Sequence, residues 1–415
     1  MTRLPALLRP LFPYLKPAYT RSTRVAAPIM IRLSRLRGGY LPQAAVATME
    51  LAVAGVPGAR CAVARPAEVV TRTLPAGIPA LHPEFSENLR ERIPRVAVAE
   101  LPGGRVLGPY RAVITGDGAL LHELSFYFGT TRPREHPLFL HPFPPPPREV
   151  PGRLGVLAMR GDPNYYHFLM DVLPRLGVLE QCPDIERPAR WFVPARTRFQ
   201  RELLSMFGIE AADRIDSTQV MHVRAQLLVV PGPASMTVIN PPWVVAYLRR
   251  KLLPVPIARV PGRFIYVTRG EQRNNRRVVN EGELLRMLGE RGFRTVDPGA
   301  MSVVDQIRAF AEADVIVAPH GAALANLVFA SPGACVVELF PPGCAVPDYW
   351  KLANGVEGLE YRYLAGTGPV SRPGRAEFLV NDINVDLTAL SLILAEVSST
   401  RVSVPVNCRP GDDHG

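Results

Sequence analysis

Most of this chain consists of two kinds of segment that follow each other: short apolar runs, and segments in which apolar residues recur with helical spacing. Runs rich in Val, Ile, Leu and Ala, bounded by Gly, Pro or charged residues, are predicted strands. They occupy residues 153–160, 190–195, 225–232, 263–269, 293–298, 314–320 and 334–342. Segments with helical spacing of apolar residues separate them. This alternation of strand and helix predicts parallel sheets joined by right-handed crossovers.

The predicted helices carry recognisable signals at their ends. They occupy residues 165–176, 198–208, 239–256, 281–292, 302–313 and 321–330. Asp162 is the predicted cap of the first helix, with Pro163 at its first position, and Pro174 is expected to kink or shorten it. Asn280 and Glu283 have the spacing of a capping box before the fourth helix.

These elements predict an α/β fold with two Rossmann-like domains facing a cleft. Residues 1–59 form a basic leader, and residues 60–245 a first domain with a preceding β-rich segment. Residues 246–365 form the second Rossmann-like domain, and residues 366–415 a partly helical tail. The second domain lacks the GxGxxG pattern, so we do not expect a dinucleotide site of the usual kind.

Charge and cysteine usage narrow the class of protein. The 415 residues carry a formal net charge of +11, which favours an anionic partner, although an Arg-rich chain also results from genomic base composition. No known nucleic-acid-binding module is present, so nucleic acid is not an expected partner. The five cysteines form no CxxC pair, which argues against a disulfide framework or zinc site and favours the cytoplasm.

The first forty-nine residues carry eight Arg or Lys and no Asp or Glu. Basic residues interleaved with Leu, Ile, Met and Phe are typical of segments that lie on an anionic membrane surface. The alternative is a disordered leader, because Pro5, Pro10, Pro13 and Pro17 argue against one continuous helix. No apolar run reaches the roughly 18 residues that span a bilayer.

Two stretches have the chemistry of an anion site. His320 ends a predicted buried strand, and Gly321 with two alanines begins a helix, where backbone N–H groups and the helix dipole favour an anion. Glu338, in the next strand, is a candidate for hydrogen bonds from ribose hydroxyls or, alternatively, a surface charge. The loop after the strand at 263–269 carries four arginines, and a diphosphate would suit them unless they form a solvated face: Arg269, Arg273, Arg276 and Arg277.

The segment GDPNYYHFLMDVLPRL places an imidazole and a carboxylate on one side of a mostly apolar helix. His167, Asp171 and Arg175 recur at four-residue intervals, so they share one helix face. A His–Asp pair can take a proton from a sugar hydroxyl. The alternative is a structural pair in which Asp171 holds His167 and Arg175 forms an ion pair along the helix.

Three motifs in this order resemble glycosyltransferase family 61: NYYHFLMDVLPRL, then YVTR with RR and NE downstream, then PHGAALANLVFASPGACVVELFPP. The resemblance covers about residues 95–345. It implies two Rossmann-like domains of the GT-B type, a nucleotide-sugar donor and inversion at the anomeric carbon. Animal members are secretory and disulfide-bonded, features we do not find here. We therefore expect a bacterial, capsular-polysaccharide type of member that is cytoplasmic, with peripheral contact at the inner face of the membrane as the alternative to a freely diffusing protein.

Carried over by position, the resemblance implies a donor side and an acceptor side. The donor-binding residues that it implies are Arg269, His320, Gly321, Ala322, Asn326 and Glu338, and the arginine-rich loop adds Arg273 and Arg276. On the acceptor side, Asp171 is the expected base with His167 orienting it, or the reverse. The acceptor would be a polysaccharide or lipid-linked glycan. We expect no cofactor and no metal, because Arg269 and the helix start would stabilise the leaving phosphate. The alternative function is a non-catalytic nucleotide- or glycan-binding scaffold.

Overall fold

A computed structural model describes residues 12–78, 81–127, 130, 132–235, 238–270, 276–368 and 381–402. Arg273, which is predicted to bind the donor, lies outside these residues. None of the helices in these ranges combines the length and the apolar composition that a bilayer-spanning segment needs.

The first part of the chain, through residue 156, consists mainly of short strands. In chain order its elements are α1 (Phe12–Leu36), β1 (Ala44–Val46), α2 (Met49–Val53), β2 (Arg60–Arg65), β3 (Glu68–Thr71), β4 (Ala76–Ile78), α3 (Pro83–Glu87), β5 (Arg90–Ile93), β6 (Val96–Pro102), β7 (Arg105–Leu107), β8 (Ala112–Ile114), β9 (Ala119–Leu121) and β10 (Arg148–Val156).

The remainder alternates helices and strands, as predicted. Its elements are α4 (Tyr165–His167), α5 (Pro174–Glu180), β11 (Arg190–Val193), α6 (Arg198–Met206), β12 (Arg214–Asp216), β13 (His222–Pro231), α7 (Pro242–Leu252), β14 (Phe264–Val267), α8 (Glu281–Glu290), β15 (Arg294–Val296), α9 (Val303–Glu312), β16 (Val315–Pro319), β17 (Cys335–Phe340), α10 (Asp348–Ala353), β18 (Glu360–Ala365) and α11 (Leu387–Val402).

The first sheet is mixed rather than wholly parallel. Ten described strands form it, and its parallel part has the order β13-β10-β11-β12. Strands β6 and β7 pair antiparallel with β13 and extend the sheet into the β-rich segment. Strand β10 lies between β13 and β11, so the strand order reverses there, and open α/β sheets bind ligands at such points.

The second sheet is parallel throughout, as the alternation predicts. Six described strands have the order β15-β14-β16-β17-β18-β4. Strand β14 has β15 on one side and β16 on the other, which makes the gap between β14 and β16 a second point of reversal. The loops after these two strands therefore leave the same edge side by side.

One hydrophobic cluster connects the two sheets. It contains residues of the α4–α5 segment, such as Leu169 and Leu176, together with Ile316, Val336 and Phe340 of the second sheet. All five are buried. The two halves thus bury apolar surface against each other, which stabilises their relative position.

The sheets divide the chain differently from the predicted domains. Within the predicted leader, α1 is one helix despite Pro17 and Pro28, and β1 pairs with β9 of the first sheet. Ala27 of α1 is fully buried, so packing against the body offsets the backbone bond that Pro28 removes. Strand β4 crosses into the second sheet, where it pairs with β18. Helix α11, in the predicted tail, packs on that sheet through residues such as Leu390.

Two predicted helix caps are wrong, and Pro174 acts differently from the prediction. Asn164, not Asp162, caps α4 by accepting from the backbone N–H groups of Tyr166 and His167. Asn280 stands at the start of α8, but its side chain exchanges two hydrogen bonds with the backbone of Val385 instead. Before Pro174, whose nitrogen cannot donate, the chain makes a π-helical turn at Phe168–Val172 and then continues as α5.

Candidate functional site

The loops after β14 and β16 bring Arg269 against the turn at Gly321. The Arg269 guanidinium donates a hydrogen bond from Nη1 to the carbonyl oxygen of His320, at 2.6 Å. Both loops leave the carboxyl edge of the second sheet at its point of reversal. The predicted convergence of the arginine loop with the His320–Gly321 turn is therefore what the structure shows.

Gly321 leaves the room that Arg269 occupies. A Cβ atom at this position would lie 2.6 Å from Arg269 Nη1, so a larger residue would push the guanidinium away. The glycine backbone itself is extended, with φ of 176°. The segment Ala322–Phe329 that follows is a 3₁₀ helix rather than the predicted α-helix, and Ala322 is partly exposed at its start.

The charge of Arg269 is only partly compensated by the protein. Burial and the nearby charge of Arg276 lower the pKa of Arg269 to about 10. Its buried Nε has no hydrogen-bond partner among the described residues. Burying a cation without a matching anion is costly, and two guanidinium groups that approach each other repel. A bound anion could accept a hydrogen bond from Arg269 Nε and reduce the repulsion between the two guanidinium groups.

Arg276 reaches this place through an unusual backbone conformation. Its φ is +78°, in the left-handed region that non-glycine residues rarely adopt. The Asp382 carboxylate accepts hydrogen bonds from the backbone N–H groups of Arg276 and Arg277, at 3.0 and 2.8 Å, and holds the turn. Burial lowers the pKa of the Arg276 side chain. Strained backbone of this kind is concentrated at functional sites.

A buried carboxyl group, that of Glu338, is hydrogen-bonded to the His320 ring and fixes its orientation. His320 Nδ1 lies 2.5 Å from Glu338 Oε1, and the Tyr361 hydroxyl donates to Glu338 Oε2, also at 2.5 Å. Glu338 is fully buried, and burial raises its pKa well above the usual value. The surface-charge alternative is therefore wrong. The predicted contact with the nucleoside also does not fit, because no part of Glu338 is open to a ligand.

Asn326 is likewise closed to direct contact with a ligand. Its side chain is fully buried, donates to Gln306 Oε1 at 2.9 Å and accepts from the Tyr165 hydroxyl at 2.7 Å. Tyr165 belongs to the α4 segment and Gln306 to α9. The predicted donor contact of Asn326 is thus replaced by a polar connection between the two halves of the molecule.

His167 and Asp171 form the second polar centre, at the carboxyl edge of the first sheet. His167 Nδ1 lies 2.7 Å from Asp171 Oδ2. The His167 side chain is 39% exposed, and that of Asp171 only 7%. Nδ1–H thus donates to the carboxylate, and the partly exposed imidazole presents Nε2 as an acceptor. The pair has the geometry for taking a proton from a hydroxyl group.

The two members of the pair have differently controlled pKa values. Burial lowers the pKa of His167, but the hydrogen bond and charge of Asp171, with the charge of Asp348, outweigh burial and raise it. Burial raises the pKa of Asp171, against the opposing effects of His167 and Arg175. Protonated imidazole is therefore favoured over a wider pH range than in a free histidine.

Buried charges lie beneath this pair. Arg175 is buried, and its charge acts on both Asp171 and Asp162 rather than forming the predicted ion pair along the helix. Asp162 lies 3.6 Å from Arg111, and burial raises its pKa to about 6. Asp171 therefore belongs to a buried network in which acidic and basic side chains alternate: Asp171, Arg175, Asp162 and Arg111.

A row of rings joins the two polar centres. Ring centroids are 5.3 Å apart between His167 and Tyr166, 5.6 Å between Tyr166 and Tyr349, and 5.1 Å between Tyr349 and His320. Tyr349 also interacts electrostatically with Arg269 and Arg276. The imidazole–carboxylate pair and the arginine turn therefore belong to one connected site.

Tyr349 and its neighbour Asp348 are absent from the residues that sequence patterns indicate. They begin α10, which follows the carboxyl end of β17. The rule that ligands bind at this edge was the available signal, but the local residues PDYW have no distinctive spacing. In the part of the chain that the structure describes, no three His, Cys, Asp or Glu side chains are grouped to hold a metal ion.

Comparison with known proteins gives two findings. Residues 165–337 match the family described as Glycosyltransferase 61. The chain is 36% identical over 106 residues to Protein O-linked-mannose beta-1,4-N-acetylglucosaminyltransferase 2 of Xenopus tropicalis, and 32% identical over 106 residues to the proteins of that name from Canis lupus familiaris and Homo sapiens.

These matches cover a limited part of each protein. Each spans 24% of this chain and 18% of the relative's length. The family match includes both polar centres, from the helix of His167 to β17, and ends one residue before Glu338. Both findings are likenesses to glycosyltransferases over the central part of the chain.

Proposed function

We propose that this protein is an inverting glycosyltransferase that transfers a sugar from a nucleotide-sugar donor to a hydroxyl of a polysaccharide or lipid-linked glycan. The observation that carries the proposal is the pairing of two centres in one site. One is the cationic turn of Arg269 and Gly321, and the other is the pair of His167 and Asp171. The proposal takes the two sheets as the two halves of a GT-B enzyme.

The donor diphosphate binds at the cationic turn. Arg269 and Arg276 supply positive charge at this turn, and the buried Nε of Arg269 has no hydrogen-bond partner among the described residues. Guanidinium groups suit phosphate oxygens because they donate several hydrogen bonds in one plane. When the sugar–phosphate bond breaks, negative charge grows on the departing phosphate, and these fixed cations stabilise it.

His167 is the base, and Asp171 orients it. The imidazole is the more exposed member of the pair, while the carboxylate lies behind it. The acceptor oxygen bonds to the anomeric carbon as the bond from that carbon to the phosphate oxygen breaks. The hydroxyl proton passes to His167 Nε2, and the buried carboxylate stabilises the resulting imidazolium. One such displacement inverts the anomeric configuration.

Glu338 and Asn326 act by positioning other groups. Glu338 fixes the ring of His320 beside the turn, and Asn326 connects the helical segment of Tyr165 to the second half. The arginines supply the charge that a divalent metal provides in other transferases, so we propose that transfer is metal-independent and needs no cofactor.

The names of the relatives suggest substrates to test first. They are named for transfer of N-acetylglucosamine to O-linked mannose. An N-acetylglucosaminyl nucleotide is therefore the first donor to test, with glycan hydroxyls as acceptors. A bacterial capsular-polysaccharide acceptor and a cytoplasmic location at the inner face of the membrane complete the proposal.

The test is a panel of nucleotide sugars, screened by thermal stabilisation and then by turnover with glycan acceptors. We expect one donor to raise the melting temperature and to be consumed, with product of inverted configuration. Transfer should continue in excess chelator; complete loss that manganese restores would refute metal independence. Binding without transfer or hydrolysis of any donor would instead identify a non-catalytic nucleotide-binding scaffold.

A further inference from the structure

Helix α1 exposes an apolar stripe on the side that faces away from the protein. Val25, Ile29 and Leu36 are 72%, 60% and 75% exposed, and Leu33 between them is also exposed. These positions follow the three- and four-residue spacing that places side chains on one helix face. The helix contacts the body through a different face, which includes the buried Ala27.

A neighbouring segment extends this stripe. Phe143, in the proline-rich connector, is exposed, and the guanidinium of Arg37 lies 4.9 Å from the centre of its ring. We call Val25, Ile29, Leu33, Leu36 and Phe143 the outer face. Its large apolar side chains are more contiguous than the single exposed apolar residues that soluble surfaces usually carry.

Basic side chains border the outer face. Arg21, Arg32, Arg35 and Arg37 are all exposed along the helix and just after it. The helix has five basic residues and no acidic ones: Lys16, Arg21, Arg24, Arg32 and Arg35. A partner that fits the outer face therefore has negative charge at its own surface and an apolar layer just below that charge.

We propose that the outer face is a docking surface for an anionic phospholipid bilayer. The apolar side chains enter the boundary between headgroups and acyl chains, and the arginines contact the headgroup phosphates. A second copy of this chain fits less well, because a symmetric contact between two such helices brings basic side chains against basic side chains. Membrane binding at this surface does not depend on the proposed transfer reaction.

The helix is also connected to the acceptor side of the site. Near its start, Tyr19 is hydrogen-bonded through its side chain to Tyr110. Tyr110 packs edge-on against Tyr127, and the guanidinium of Arg160 lies 3.9 Å from the Tyr127 ring. Arg160 immediately precedes the segment that leads to His167. A membrane-bound acceptor would be presented on this side, an extension that alone rests on the proposed function.

The experiment is flotation of the full chain with vesicles of phosphatidylcholine alone or with about one-third phosphatidylglycerol. We expect binding to the anionic vesicles that weakens as salt is raised, and little binding to the neutral ones. Each basic residue near an anionic surface contributes roughly fivefold in partitioning. The variant Arg21→Gln/Arg32→Gln should thus reduce binding by roughly twentyfold or more.

The apolar contribution is tested with Val25→Asp/Ile29→Asp, which should abolish flotation. The matched control is Val304→Asp/Leu392→Asp, because both residues are exposed and apolar but lie on α9 and α11. The control should float like the parent, and melting curves should show that both variants are folded. His167→Gln should also float normally, which separates this proposal from the proposed transferase activity.

Three outcomes would overturn the proposal. The first is equal flotation of the outer-face variant and its control. The second is equal binding to neutral and anionic vesicles. The third is a dimer in solution that Val25→Asp/Ile29→Asp converts to a monomer while the parent does not bind vesicles, which would assign the face to a second copy.

Discussion

Two histidine–carboxyl pairs in this protein have nearly the same geometry and very different surroundings. His167 Nδ1 lies 2.7 Å from Asp171, and His320 Nδ1 lies 2.5 Å from Glu338. The His167 side chain is 39% exposed, whereas that of His320 is 7% exposed and its carboxyl partner is fully buried. The first pair can exchange a proton with a ligand, and the second is held as a support.

The difference shows that accessibility, rather than the hydrogen bond itself, separates a reactive pair from a structural one. Both pairs lie near the carboxyl edge of a sheet at a point of reversal. At the second sheet, the chemistry facing a ligand comes instead from the arginines beside His320. We therefore expect variants of the two regions to separate proton transfer from donor binding.

The largest expected effect is on turnover at the first pair. His167→Gln or Asp171→Asn should lower kcat by roughly 10²- to 10⁴-fold, the usual contribution of a general base, with donor affinity unchanged. Turnover with a nucleotide sugar and calorimetry with its nucleoside diphosphate measure the two quantities. His141→Gln, at an exposed histidine that ends a 3₁₀ turn, is the control. Unchanged turnover in both site variants would remove the base from this pair.

A smaller effect, on binding, is expected at the second region. Arg269→Ala removes a charge-assisted donor and should cost about 2 kcal/mol, or roughly thirtyfold in affinity for a nucleoside diphosphate. Arg286→Ala, at an exposed arginine on α8, should leave the affinity unchanged. Calorimetry compares the two variants. Equal affinity in the parent and Arg269→Ala would place the diphosphate elsewhere.

The pH dependence sharpens the comparison further. The pKa of His167 is raised, so a larger fraction of the imidazole is protonated and inactive as a base near neutral pH. The rate should therefore rise with pH, with a midpoint above the ordinary imidazole value of 6.5, and change about tenfold per unit well below it. Asp171→Asn should move the midpoint of any residual activity downward, and an unmoved midpoint would argue against His167 as the titrating group.

Much of the fold and part of the site follow from sequence patterns. The strands after residue 150 and the parallel second sheet are local consequences of apolar runs and helical spacing. The convergence of Arg269 with Gly321 follows from the rule that parallel strands end at one edge. The i, i+4 spacing likewise placed His167 beside Asp171.

The missed features depend on distant parts of the chain. Asn280 fails as a cap because Val385, over a hundred residues away, takes its side chain. Tyr349 carries no local signal, yet it lies between His320 and Tyr166. Strand β4 joins the second sheet although the preceding and following strands belong elsewhere.

The order of strands and helices, the basic character of the first segment and the identity of the polar groups at the strand ends all follow from local residue patterns. Which of those groups a ligand can reach depends on the fold: the His167 side chain is partly exposed, while Glu338 and Asn326 are buried. The reason is physical. Periodicity and charge are local properties of the chain, but burial depends on which distant elements pack over a side chain.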